Sequence, residues 1–170
     1  MTLSKNATFI SLELASEKYN LSENVLLDQI KSGTIASVTL TTGEILVADK
    51  QVDPSLSIRR EEFEHLRDQK IAVREAAKKY NISSATISRW GKSGYIQYLE
   101  RGYRAYMDEA DVAYCVAVYN AKRDYYEGQM SGVPIFNKDG TPYQAKHPEV
   151  AAYKRAVRDR RKQRNLQTNI

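Results

Sequence analysis

The feature that most constrains this chain is that it repeats itself. At a shift of 61 residues, Ile10, Ala15, Lys18, Tyr19, Asn20, Ser22, Lys31, Ser32, Gly33 and Ile35 fall on identical residues. Their counterparts are Ile71, Ala76, Lys79, Tyr80, Asn81, Ser83, Lys92, Ser93, Gly94 and Ile96. The shared core reads KYN, then Leu or Ile, then Ser, and further on KSG-x-I. Self-similarity at a fixed offset indicates a duplicated fold unit. Differences between the copies then become as informative as the likeness.

The second copy, residues 71–106, reads as a helix, a tight turn, a second helix and a β-hairpin. The first helix is expected over Val73–Tyr80, because Ala76, Ala77 and Tyr80 lie three and four apart on one face. Asn81 stands where that helix ends, and Asn accepts left-handed backbone better than most residues. Ile82 plugs the turn. Ser83 or Ser84 caps the second helix by accepting a bond from an orphan amide. Ile87 and Trp90 then face the core, leaving Ser84, Ala85, Thr86, Ser88 and Arg89 outward. Gly94 ends the helix. Segments 95–99 and 103–107 are rich in aromatics and flank Glu100-Arg101-Gly102, a hairpin pattern with Arg101 and Arg104 at or near the tip. Residues 70–107 carry eight Lys or Arg against two Glu, a net +6. That balance on such a unit is the footprint of phosphate contact.

The run REAAKKYNISSATISRW, followed by KSGYI, the RGYR hairpin and MDEADV, resembles the small winged-helix domains of phage excisionases and MerR-type regulators, over residues 71–115. The resemblance implies that the second helix reads base edges in the major groove and that the wing touches the backbone. By that resemblance the helix contributes Ser83, Ser84, Thr86, Ser88, Arg89 and Lys92. The wing contributes Arg101, Tyr103 and Arg104. Gly91 departs from the pattern, since glycine weakens the end of a helix.

The first copy should have helices near Leu12–Tyr19 and 22–31, then a hairpin of 35–40 and 44–47 about Thr41-Thr42-Gly43. Residues 57–66, SIRREEFEHL, match YMDEADVAYC of the second copy at a shift of 49. This implies a 12-residue insertion in the first wing, forming a loop or an extra strand. The first copy shows Glu23, Asn24, Leu27 and Asp28 where the second shows Ser84, Ala85, Ser88 and Arg89. Carboxylates aimed at phosphates are repelled. This copy is therefore read as a scaffold or pairing surface, with an exposed Leu27 offering a protein contact. A weak DNA reader using Asn24 and Lys31 is the alternative.

Residues 61–69 are expected to form a joining helix with Phe63 and Leu66 inward. Asp108 caps a longer helix over 110–128 whose stripe is Val112, Cys115, Val116 and Tyr119. That helix is either a dimer contact or an ordinary core helix. Cys115 reads as a small buried apolar residue rather than a reactive thiol. Residues 129–147 read as a loop with a turn at 137–140. Pro148 opens a final helix. Within it, residues 153–164 carry seven basic residues against Asp159. Lys154, Arg155, Arg158, Arg161 and Lys162 are assigned to nucleic acid, the alternative being a solvated tail.

The net charge of +5 is unevenly spread: residues 1–57 hold four basic against seven acidic residues, and residues 113–170 hold eleven against five. No apolar run is long enough for a membrane, and MTLSKNATF does not read as a signal peptide. One cysteine precludes an internal disulfide. One Cys and two distant His give no metal-ligand spacing. No phosphate-cradling glycine loop, nucleophile–base pair or paired carboxylates are evident, so neither an enzyme nor a cofactor nor a small-molecule ligand is expected.

The expected architecture is mostly α with small β-hairpin wings, an α+β chain of tandem winged helix-turn-helix units followed by a basic helix. Its parts are residues 8–68, 69–128, 129–147 and 148–170. The expected role is sequence-specific binding of double-stranded DNA in the cytoplasm, at the nucleoid, with a homodimer or higher oligomer as a further partner and no membrane. Regulation of transcription and accessory work in recombination or replication fit equally. An adaptor in a packaging or recombination assembly is the alternative.

Overall fold

A computed structural model describes residues 8–128, 130 and 133–144. The chain is a mixed α+β protein that divides between Asp53 and Pro54 into two units. Among the described residues there are five α-helices, three 3-10 helices and two small antiparallel sheets.

In the first unit the order is β1 (Phe9–Ser11), α1 (Leu12–Tyr19), α2 (Glu23–Lys31), β2 (Ser37–Thr39) and β3 (Ile45–Ala48), with sheet order β1-β3-β2. Ser11 caps α1 by accepting from the Leu14 amide at 3.2 Å. Asn20 closes it with φ 50°, a conformation in which asparagine costs less than most residues. The hairpin turns at Gly43, whose φ of 88° strains any residue with a Cβ. Ala15, Leu21, Leu26, Ile35 and Val47 are buried.

The second unit repeats this order with β4 (Lys70–Ala72), α3 (Val73–Tyr80), α4 (Ser84–Lys92), β5 (Tyr98–Glu100) and β6 (Tyr106–Asp108), and the sheet order is β4-β6-β5. The registers correspond as well. Val47 faces Ile10 and Ser37, while Met107 faces Ile71 and Tyr98. The duplication read from the sequence is thus a duplication of topology. Asn81 is left-handed at φ 52° and its amide bonds back to Ala77. Ser83, not Ser84, is the cap of α4: its Oγ accepts from the Thr86 amide at 3.1 Å. Ile82, Ile87 and Trp90 are buried as their spacing requires.

The helix α5 (Glu109–Tyr125) exists in the second unit alone among the described residues. Asp108 caps it by accepting from the Ala110 amide at 2.9 Å. Its residues from Glu109 through Val116 are all buried, so this half of the helix packs in the core, while Arg123 and Asp124 near its end are exposed. Cys115 is fully buried, and burial pushes its thiol well above the ordinary value.

Five expectations are corrected. Residues 57–66 are not the counterpart of 106–115: β3 is the counterpart of β6, and no 12-residue wing insertion exists. Instead of a loop or extra strand, residues 48–57 contain the 3-10 turns Asp49–Gln51 and Pro54–Ser57. The expected α-helix over 61–69 is a 3-10 helix, Arg60–Leu66, belonging to the second unit and packed on α5. Ion pairs hold it there. Arg60 Nη1 lies 2.8 Å from Asp111 Oδ1, and Arg67 Nη1 lies 3.1 Å from Asp111 Oδ1 and 3.2 Å from Asp108 Oδ2. The wing strands also shift. Residues 95–97 are not strand: the Tyr95 amide donates to the Trp90 carbonyl at 3.0 Å and the Gln97 amide to Asp111 Oδ2 at 2.9 Å, while the Tyr95 ring packs on Phe136 with centroids 4.9 Å apart. The loop between β5 and β6 is therefore longer than expected, spanning residues 101–105. Leu27 is half-buried; among the described residues of this unit the exposed large apolar ones are Leu14, Val25 and Leu40.

Segment 133–143 turns at 137–140 as expected, and it is also part of the core. Phe136 is buried against Trp90, Tyr95 and Tyr114. Asp139 accepts from the Thr141 amide at 2.9 Å, and the Tyr114 hydroxyl donates to the Gly140 carbonyl at 3.2 Å. Burial pushes the Tyr114 phenol up to about 12.

Candidate nucleic-acid interface

The cap at Ser83 sets the phase of α4. With Ile87, Trp90 and Gly91 turned inward, Ser84, Ala85, Arg89 and Lys92 are exposed on the opposite side, and Ser88 is half-buried at its border. The face carries hydroxyls, a methyl, a guanidinium and an ammonium, with no carboxylate. Ser83 and Thr86 are occupied with one another, their hydroxyls 2.8 Å apart, and Thr86 is half-buried. Of the six helix residues assigned from sequence, Ser84, Ser88, Arg89 and Lys92 remain available to a ligand.

The loop after β5 supplies the second part. Arg101, Tyr103 and Arg104 are exposed, and Tyr103 is fully so at 104%. Arg101 lies with its Cζ 4.7 Å from the centroid of the Tyr98 ring. A cleft of about 550 Å³ opens between this loop and the start of α3; Arg74, Glu75, Tyr103 and Arg104 line it.

Not every cation of the basic stretch is free. Lys70 pairs with Glu100 at 3.0 Å. Lys79 and the Tyr80 hydroxyl, the latter at 2.8 Å, both donate to Glu109. Burial opposes the Glu109 charge, but these two donors outweigh it and hold its pKa below the usual carboxylate range. Among the described residues Arg74, Lys78, Arg89, Lys92, Arg101 and Arg104 have no ion pair. Arg74 was missed from the single-copy reading; comparison of the copies finds it.

The first unit has a matching cleft whose charged lining is all carboxylate, where the second unit's has Arg74 and Arg104 beside the single carboxylate Glu75. About 320 Å³ in volume, it lies between α1, α2 and the hairpin turn, and Glu13, Glu23 and Glu44 line it. Glu13 corresponds to Arg74 and Glu23 to Ser84 at the 61-residue shift, while Glu44 stands at the hairpin position held by Arg104. A phosphate chain that suits one cleft is repelled by the other.

Lys154, Arg155, Arg158, Arg161 and Lys162 lie outside the described residues. Among the described residues no group of three His, Cys, Asp or Glu converges to hold a metal, and no helix is long and apolar enough to cross a membrane. In comparisons with known proteins, no family model matches the chain, and no curated protein or solved structure matches it.

Proposed function

We propose that the chain is a non-enzymatic, sequence-specific double-stranded DNA-binding protein built from two diverged winged helix-turn-helix units. The second unit reads DNA. Helix α4 enters the major groove with Ser84, Ser88 and Arg89, and the wing residues Arg101, Tyr103 and Arg104 meet the adjoining backbone. The observation that carries this reading is the single face of the second unit. It gathers unpaired cations around small hydrogen-bonding side chains, while the corresponding face of its own duplicate is acidic. Generic basic decoration would not reverse sign between copies at matched positions.

The first unit serves protein contact in this reading, pairing with a second copy or with another member of a DNA-processing assembly. The exposed Leu14, Val25 and Leu40 favour that role over DNA contact. The basic C-terminal stretch adds sequence-independent phosphate contacts.

The test is binding of the full chain to a preferred duplex, compared with Arg89→Ala. Loss of the arginine should cost about 1–3 kcal/mol on the preferred site and relax selection at one base pair. Equal binding of both proteins to specific and random DNA would remove α4 as the reader.

A further inference from the structure

Where α4 meets the wing, the two copies carry their bulk on opposite sides of one contact. In the first unit the helix position is Ile30 and the strand position Ser37; in the second they are Gly91 and Tyr98. Ser37 and Tyr98 hold equivalent register places, opposite Val47 and Met107. Gly91 is buried, and a Cβ there would come within 2.7 Å of both Tyr98 Oη and Met107 Cε. The glycine that weakens α4 therefore makes room for the phenol of Tyr98. Any larger residue would displace it.

Seated in this notch, the Tyr98 ring carries the guanidinium of Arg101 at 4.7 Å. The neighbouring carboxylate, Glu100, is taken by Lys70 at 3.0 Å and does not pair with Arg101. Beside the stack is a depression of about 410 Å³ lined by Gly91, Lys92, Tyr98, Arg101, Gly102 and Ala105. Two cations without ion pairs thus share one hollow whose remaining wall is Tyr98 and the small residues Gly91, Gly102 and Ala105. A guanidinium held over a ring face by cation–π attraction has less freedom to wander, and its fork of N–H donors matches the oxygens of a phosphate.

We propose that Tyr98, seated on Gly91, is a positioning residue that holds Arg101 beside Lys92 so that the two cations grip one phosphodiester. The proposal rests on the reading of the second unit as the DNA-binding one. Tyr98 touches no DNA in it; the ring acts through Arg101.

The test measures binding of the full chain to a random-sequence DNA duplex over a range of salt concentrations, for the parent and for Tyr98→Phe, Tyr98→Leu, Arg101→Ala and the Tyr98→Leu/Arg101→Ala double variant. Arg101→Ala should flatten the slope of log K against log salt by about 0.9, the loss of one phosphate contact. Tyr98→Leu should lose most of the same increment, Tyr98→Phe should keep it, and the double variant should lose no more than Arg101→Ala. Amide spectra of each variant without DNA confirm that it folds, and the Arg101 Nε–Hε signal should lose its ring-current shift in Tyr98→Leu but not in Tyr98→Phe. A parent that binds duplex while the effects of Tyr98→Leu and Arg101→Ala simply add, or while Tyr98→Leu changes nothing, overturns the positioning role alone. A parent that binds no duplex at any salt overturns the DNA reading together with it.

Discussion

Glu109 shows how a single residue ties the helices of the second unit together through charge. Its carboxylate is buried at the start of α5 and takes donors from Lys79 and Tyr80 of α3. Its pKa is lowered in the folded chain, so its contribution to stability is present above the ordinary value of 4.5 and is lost as pH falls through the folded value. Glu109→Gln should therefore destabilise the protein near neutral pH, and the difference from the parent should shrink in acid. Urea unfolding at neutral pH and at a series of pH values below 4.5 measures this; a pH-independent difference would mean that the carboxylate's charge is not what matters. Ile87 acts through packing instead. It is fully buried in the core of the second unit, and Ile87→Ala should cost about 2–5 kcal/mol. An unchanged melting temperature would contradict its place in the core.

At the scale of elements, a segment that lies before the first strand of the second unit is packed and ion-paired against α5. Arg60 and Arg67 neutralise Asp108 and Asp111, which are otherwise buried carboxylates. A fragment of residues 54–170 should fold, whereas one of residues 69–170 should be markedly less stable, as read by thermal unfolding monitored by circular dichroism. Equal melting of the two would show that the Arg60–Leu66 segment is dispensable. This pairing was not legible in the sequence, because its partners are 41 to 51 residues apart and nothing local marks them. Nor were β1 and β4, since three residues are too short for an alternating pattern to register. Phe136 was hidden in the same way, by a stretch whose turn residues dominate its composition. What was legible was local: Asn81 at a helix end, a serine cap at Ser83 or Ser84, and Ile87 with Trp90 on one face. Gly91 was visible as an anomaly, but its reason, the phenol of Tyr98, is a contact across the fold.

Across the whole molecule, the two units share one topology and differ in charge at matched positions, and the proposed function assigns them different work. Comparison of the copies, available from the sequence alone, marks Glu13 against Arg74 and Asp28 against Arg89; the clefts give the first of these pairs its place. Removal of residues 150–170 should weaken binding to all duplexes about equally and flatten the salt dependence, by about 0.9 in slope for each phosphate released. A sequence-selective loss would instead assign that stretch to a protein partner. The central claim, that the α4 face of the second unit reads base sequence, is tested most directly by selecting bound duplexes from a randomised library with the full chain and with Arg89→Ala in parallel. The account predicts one enriched motif for the parent, with a single position relaxed in the variant. No enriched motif, or the same motif from both proteins, would contradict it.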